Sequence, residues 1–210
     1  IEEFLMLKGQ AKVGTEVRRE QIIRAALDVI ASEGTRGLTT SALAKQVGMS
    51  EANLYRHYKN KDEILLNTVD QLGDGLLNNL EAVRNMKTAN ALLQLKTLFQ
   101  KHLFYIEENK GIPRLLFSEE IHLGTTAGND LIRAHFSKAI GTYMAGIESL
   151  IKEGQDQNRI NKKIERGAIA ATLIGMIQIT TIKWSLSNYS FSLMETGMRL
   201  WKNYEACIAV

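Results

Sequence analysis

The sequence is poor in residues that cross-link or punctuate a chain. It has one cysteine, Cys207, so an intramolecular disulfide and a cysteine-based zinc site are both excluded. A lone thiol suits a reducing cytoplasm, the location expected for this protein. There is one proline, Pro113, and there are few β-branched runs bounded by turn signals. Sheets and long loops use more proline, so an all-α fold is expected. Residues 1–13 lack the apolar stretch and small-residue cleavage site of a signal peptide. The most apolar run, Ala168 to Ile182, is shorter than the roughly 20 residues a membrane span needs and contains Gln178, Thr180 and Thr181. It reads as a buried or subunit-interface helix, with no membrane as partner. The four histidines are scattered. No Ser/His/Asp or Cys/His arrangement, glycine-rich phosphate loop or internal repeat accompanies them. An enzyme is therefore not expected, and no cofactor is called for.

What is present is helical periodicity. Residues 1–14 are mixed in character and read as a flexible arm. Thr15 is the expected cap of a first helix running to about Glu33, with Ile23, Leu27 and Ile30 on one face. Gly34 should end it. Thr39 caps a second, short helix carrying Leu43, Ala44 and Val47, and Gly48 permits a sharp turn. Ser50 caps a third helix, Glu51 to about Tyr58. Asp62 is the expected start of a long fourth helix. The core of this unit should be Ile23, Leu27, Ile30, Leu38, Leu43, Val47, Leu54, Tyr58 and Leu65. Residues 15–61 thus follow the logic of a helix-turn-helix module. Residues 62–210 read as further helices near 62–85, 88–109, 112–123, 129–154, 163–186 and 190–207.

The third helix has the side chains a DNA reader needs. Asn53 can pair with adenine and Ala52 can rest on a thymine methyl. Tyr55, His57 and Lys61 have the reach for phosphate oxygens, and Arg56 stands among them. Thr39, Thr40 and Ser41 can donate to phosphate from the start of the second helix. Between residues 34 and 61, five cations (Arg36, Lys45, Arg56, Lys59, Lys61) oppose only Glu51. That local excess of +4 exceeds the +3 of the whole chain. The positive charge is concentrated on the motif, as a nucleic-acid surface requires.

Residues 38–65 closely resemble the N-terminal signature of TetR-type transcriptional regulators. The matching residues are Thr39, Leu43, Ala44, Gly48, Met49, Ser50, Leu54, Tyr55, His57, Tyr58, Lys61, Glu63 and Leu65. Ala25-Ala26-Leu27 and Glu33-Gly34 fit the first helix of that family. The resemblance covers about the first third of the chain. It implies Thr39, Tyr55, His57 and Lys61 as phosphate contacts. It also implies a C-terminal domain that binds an effector and dimerises. Ala42 departs from the pattern, since many members carry there an acid that closes a capping box.

The homodimer is expected through helices near 163–186 and 190–207. The first bears small residues such as Ala168, Ala171 and Gly175. The second bears Trp201, Tyr204 and Ile208 at helical spacing. Two recognition helices in one dimer would then meet a near-palindromic operator on double-stranded DNA. A small, largely apolar effector is expected to meet Phe99, His102, Leu103, Phe117, Glu120, Tyr143, Ile147, Met176 and Trp184. Each of these residues taken singly reads first as core, and only the set suggests a ligand site. Glu119-x-x-His122 has the spacing of a carboxylate-bridged metal helix, but the second copy that such a site needs is missing, so no metal is expected. The leading function is a repressor released from its operator by that effector. The alternatives are DNA-binding regulation by a protein partner and, far behind, a helical-bundle metalloenzyme.

Overall fold

A computed structural model of the chain describes residues 14–87, 90–122 and 127–210. The expected arm therefore lies outside the described residues, except for Gly14. The fold is all-α. The helices are α1 (Thr15–Gly37), α2 (Thr40–Val47), α3 (Glu51–Leu54), α4 (Lys61–Arg84) and α5 (Ala91–Glu108). There follow α6 (Ile112–Leu116), α7 (Glu119–His122), α8 (Ala127–Asp156), α9 (Arg166–Leu186) and α10 (Leu193–Ile208).

Local chemistry explains most of the helix ends. Gly34 breaks α1 with φ 75° and ψ 178°, and one more turn carries the chain to Gly37. Gly14, not Thr15, precedes the first helical residue, and no side chain caps that end. Thr39 caps α2 by accepting from the Ala42 N–H at 3.1 Å. With alanine at position 42, no carboxylate returns the bond. Gly48 takes φ 72°, the left-handed turn that aims α3 away from α2. Asn60 starts α4 by accepting from the Glu63 N–H at 2.9 Å, while the Glu63 carboxylate accepts from the Lys59 N–H at 2.7 Å. This reciprocal pair moves the start of α4 one residue ahead of the expected Asp62.

Two hydrophobic cores organise the molecule. The head core joins Ile22, Ile30, Leu38, Leu43, Leu54 and Tyr58 with Ile64, Leu65 and Val69 of α4. Leu115, Ile121 and Ile132 reach it from further along the chain. The body core joins Leu80 and Val83 of α4 with α5, α8, α9 and α10. The helix α4 is thus rooted in both. Of the expected head core, Val47 is only half-buried.

Two expected helices are interrupted. The segment 112–123 forms α6 and α7 rather than one helix. Leu115 and Ile121 both enter the head core. Residues six apart on a continuous helix would point about 240° apart, so the chain must break between them. The third helix is regular only from Glu51 to Leu54. The Arg56 and His57 N–H groups then bond carbonyls three residues back, at 3.2 and 2.9 Å, which tightens the chain into turns. Tyr58 is pulled into the core beneath Arg19, whose guanidinium lies 4.7 Å over its ring.

By length and composition α9 could cross a membrane. Here it is a bundle helix, with Ile169, Leu173, Ile177 and Trp184 buried. Its outward stripe of Ala168, Ala171, Gly175, Ile179 and Leu186 is exposed and uncharged. On α10 the outcome differs from the expected interface. Trp201, Tyr204 and Ile208 belong to the body core, and Arg199, Lys202 and Asn203 face outward. The aromatic face was periodic because it packs on Phe99 and α9, inside the same chain.

Candidate DNA-binding surface and effector cavity

The turn after α2 and the cap of α3 leave a polar ridge on the head. Glu51, Ala52, Tyr55 and Arg56 are exposed, and Asn53 and His57 are half-buried. Ser50 accepts from the Asn53 N–H at 3.2 Å, which fixes the first turn of the ridge. Tyr55 keeps 51% of its surface exposed. His57 turns Nδ1 inward, where it finds no partner among the described residues. Thr39 and Ser41 are exposed at the start of α2. The Thr40 hydroxyl instead donates to the Glu51 carboxylate at 2.9 Å and ties α2 to α3. Lys61 is half-buried, and its ammonium donates to the Thr35 carbonyl at 2.8 Å. Arg36 turns away from the ridge to pair with Glu119 at 3.3 Å. Lys45, Arg56 and Lys59 are the exposed cations left on the motif.

Residues 22–68 match the model of the tetR family of bacterial regulatory proteins. Residues 22–68 thus carry the DNA-binding domain of that family, and the chain is a DNA-binding regulator rather than an enzyme. The similarity to known TetR-family folds extends through the C-terminal helices. The nucleoid occlusion factor SlmA of Vibrio cholerae is 23% identical over 186 residues, which are 88% of this chain and 91% of that protein. The structure of FadR from Bacillus subtilis, a transcriptional regulator in complex with stearoyl-CoA, superposes with a TM-score of 0.72 at 20% identity, covering 88% of this chain and 96% of that one. The ketosteroid transcriptional regulator KstR2 of Mycobacterium tuberculosis gives a TM-score of 0.73 at 17% identity, covering 96% and 98%.

The body of the protein holds an apolar cavity of about 90 Å³ between α4, α5, α6, α7, α8 and α9. Of the expected effector residues, the structure brings His102 and Tyr143 to its wall. The others lie elsewhere. Phe99 packs on Trp201, Leu103 fills the space over Gly197, and Ile147 is interior to the body core. Met176 packs against the outside of that core, and Trp184 meets Tyr189 edge-on. Phe117 is 51% exposed on a separate surface cleft beside Arg36 and Leu186. The Glu120 side chain lies outside the described residues. Bulk selected these positions, whereas a cavity wall is set by which face of each helix meets the gap.

The wall residues that sequence reasoning missed include Leu72, Gly73 and Leu76 of α4, Tyr105 of α5, and Ile177 and Thr181 of α9. Tyr105 stands three residues after His102, on the same helical face, and that spacing was readable. The glycine was not, because only its neighbours show what it makes room for. Gly73 lets α8 approach at Ala139, and Gly75 seats the Tyr105 ring against α4.

His102 and Tyr143 form one hydrogen bond, Nδ1 to hydroxyl, at 3.1 Å. The imidazole is half-buried at the cavity wall, and burial pulls its pKa down to about 4. Burial likewise pushes the Tyr143 phenol far up. The pair is neutral at physiological pH. An unfolded histidine takes up its proton near pH 6.5, so below that pH the unfolded chain binds more protons than the folded one. Stability should therefore be complete above about pH 6.5 and fall steadily toward pH 4. The expected loss is on the order of 3 kcal/mol. Urea unfolding of the wild type and of His102→Asn across that range checks it, because the variant should lose this share of the slope.

Among the described residues, no group of three or more His, Cys, Asp or Glu is placed to hold a metal. Glu119 is paired with Arg36, and the His122 ring bonds the Leu116 carbonyl at 2.9 Å.

Proposed function

We propose that this protein is a homodimeric repressor whose grip on a near-palindromic operator is released by a small, largely apolar effector. The observation that carries the reading is the position of α4. It lines the cavity with Val69, Leu72, Gly73 and Leu76 and roots Ile64 and Leu65 in the head core. A ligand that fits one tilt of α4 better than another changes the placement of the head by mass action. The uncharged stripe on α9 supports a second copy as its cover. The stearoyl-CoA held by the similar FadR fold supports an apolar effector.

In this reading Asn53 and Ala52 read base edges, and Arg56 tunes operator choice. Thr39, Ser41, Tyr55 and His57 position the phosphate backbone through their side chains, and Thr40, whose hydroxyl serves Glu51, does so through its backbone N–H at the start of α2. Lys61, at the start of α4, adds a phosphate contact from its ammonium. Asn53→Ala should weaken the operator complex by about 1–3 kcal/mol and relax specificity at one base pair. Lys59→Ala should instead weaken all DNA alike and flatten the salt dependence by about one counterion. Mobility shifts on the DNA upstream of its own gene, run at several salt concentrations, measure both. The reading fails if no sequence preference survives physiological salt.

A further inference from the structure

The cavity wall is unusual in what its few polar groups are doing. No Lys, Arg, Asp or Glu lines it. His102 Nδ1 and the Tyr143 hydroxyl are engaged with each other. The Tyr105 hydroxyl reaches the Gln71 and Leu72 carbonyls, both at 3.4 Å. Gln178 is exposed and therefore belongs to the rim. Thr181 remains. It is 1% exposed, it lines the cavity, and its hydroxyl oxygen has no hydrogen-bond partner among the described residues.

That hydroxyl has a ready local partner which it does not use. A threonine inside a helix normally returns its hydroxyl to the carbonyl four residues back. Thr68, Thr97, Thr142, Thr172 and Thr180 all do so here, at 2.6 to 3.0 Å. Thr181 is buried to the same degree as Thr180, its neighbour, yet leaves the Ile177 carbonyl alone. A buried hydroxyl without a partner is unfavourable unless something else completes it.

We propose that the cavity takes an uncharged apolar ligand bearing one oxygen function, an alcohol or an ester carbonyl, and that the Thr181 hydroxyl bonds that oxygen. This rests on the cavity being the effector site. An ionised carboxylate is excluded because burying it needs a cation, and the wall supplies none. The neutral state of His102 closes off the one side chain that could have served as that cation. Selectivity then follows from hydrogen bonding rather than from bulk. A site built around a hydrogen bond discriminates against ligands that leave its polar group unpaired.

The test uses the full-length protein and a matched eight-carbon set: 1-octanol, methyl octanoate and octanoate at pH 7.5. Titration calorimetry should show the alcohol and the ester binding at least about tenfold more tightly than octanoate. Thr181→Val keeps the side-chain shape and removes the hydroxyl. It should weaken alcohol and ester about tenfold. Thr181→Ser should restore them, and Thr180→Val, whose hydroxyl serves Met176, should leave them unchanged. Octanoate binding as tightly as the alcohol overturns the proposal, as does full affinity in Thr181→Val. If none of the three compounds binds to folded wild type, the effector-cavity reading falls and takes this one with it.

Discussion

Gly111→Ala is expected to destabilise the protein by about 1–3 kcal/mol and to loosen the head from the body. Gly111 has φ −71° and ψ −20°, so alanine could adopt its backbone without strain. The obstacle is steric. A Cβ there would collide with the Leu27 carbonyl oxygen, and it would stand 3.1 Å from the carbonyl carbon and from the Leu27 Cα. Those atoms are main chain in the middle of α1, and they cannot rotate away as a side chain could. α6 would have to back off from α1, opening the seam through which Leu115 enters the head core. Gly141→Ala is the control. It lies within α8 with nothing within 4 Å of the added atom. Removing a glycine from a helix interior there should be neutral or stabilise by up to about 1 kcal/mol. Urea unfolding of both variants measures the contrast. Equal stability of the two would mean that the α1–α6 seam yields freely, and that the head is not held by it.

Trp201→Ala should cost more, about 3–5 kcal/mol. Trp201 is 1% exposed and is among the largest fully buried side chains. Its ring meets Phe99 and Tyr204, each at a centroid distance of 5.4 Å. Its indole N–H donates to the Glu205 carboxylate at 3.0 Å. Truncation leaves a cavity between α5 and α10 and removes the donor from a carboxylate one turn on. The loss should appear in thermal and urea unfolding while the helical head keeps its operator contacts in the folded fraction. Trp201→Phe, which refills most of the volume, should recover more than half of the loss. A mild effect from Trp201→Ala would place that face at a subunit contact, as its periodicity alone suggests, instead of in the core.

The candidate site was legible in very different degrees at its two ends. The head could be read because every signal there is local. Thr39, Gly48 and Ser50 act on their own few residues, and the structure shows Thr39 and Ser50 capping and Gly48 at positive φ. The recognition ridge sits where those signals put it, although its helix is shorter because Tyr58 is drawn inward. The cavity could not be read in the same way. Its wall draws on six helices spread from Val69 to Thr181. No local rule tells which side of each will face a gap, or that Thr181 alone of two adjacent buried threonines will lack a bond.

The sequence by itself determined the all-helical class, the helix-turn-helix head and its concentration of positive charge. Periodicity, capping and charge excess are properties of neighbours along the chain. Only the tertiary structure decided that Arg36 pairs with α7, that Trp201, Tyr204 and Ile208 serve the core, and that α4 joins the cavity to the head. An apolar helical face is written in sequence as apolar, but what covers it depends on the packing of distant segments. That packing is a balance of buried area, hydrogen bonding and close approach, which is settled only once all the helices are in place.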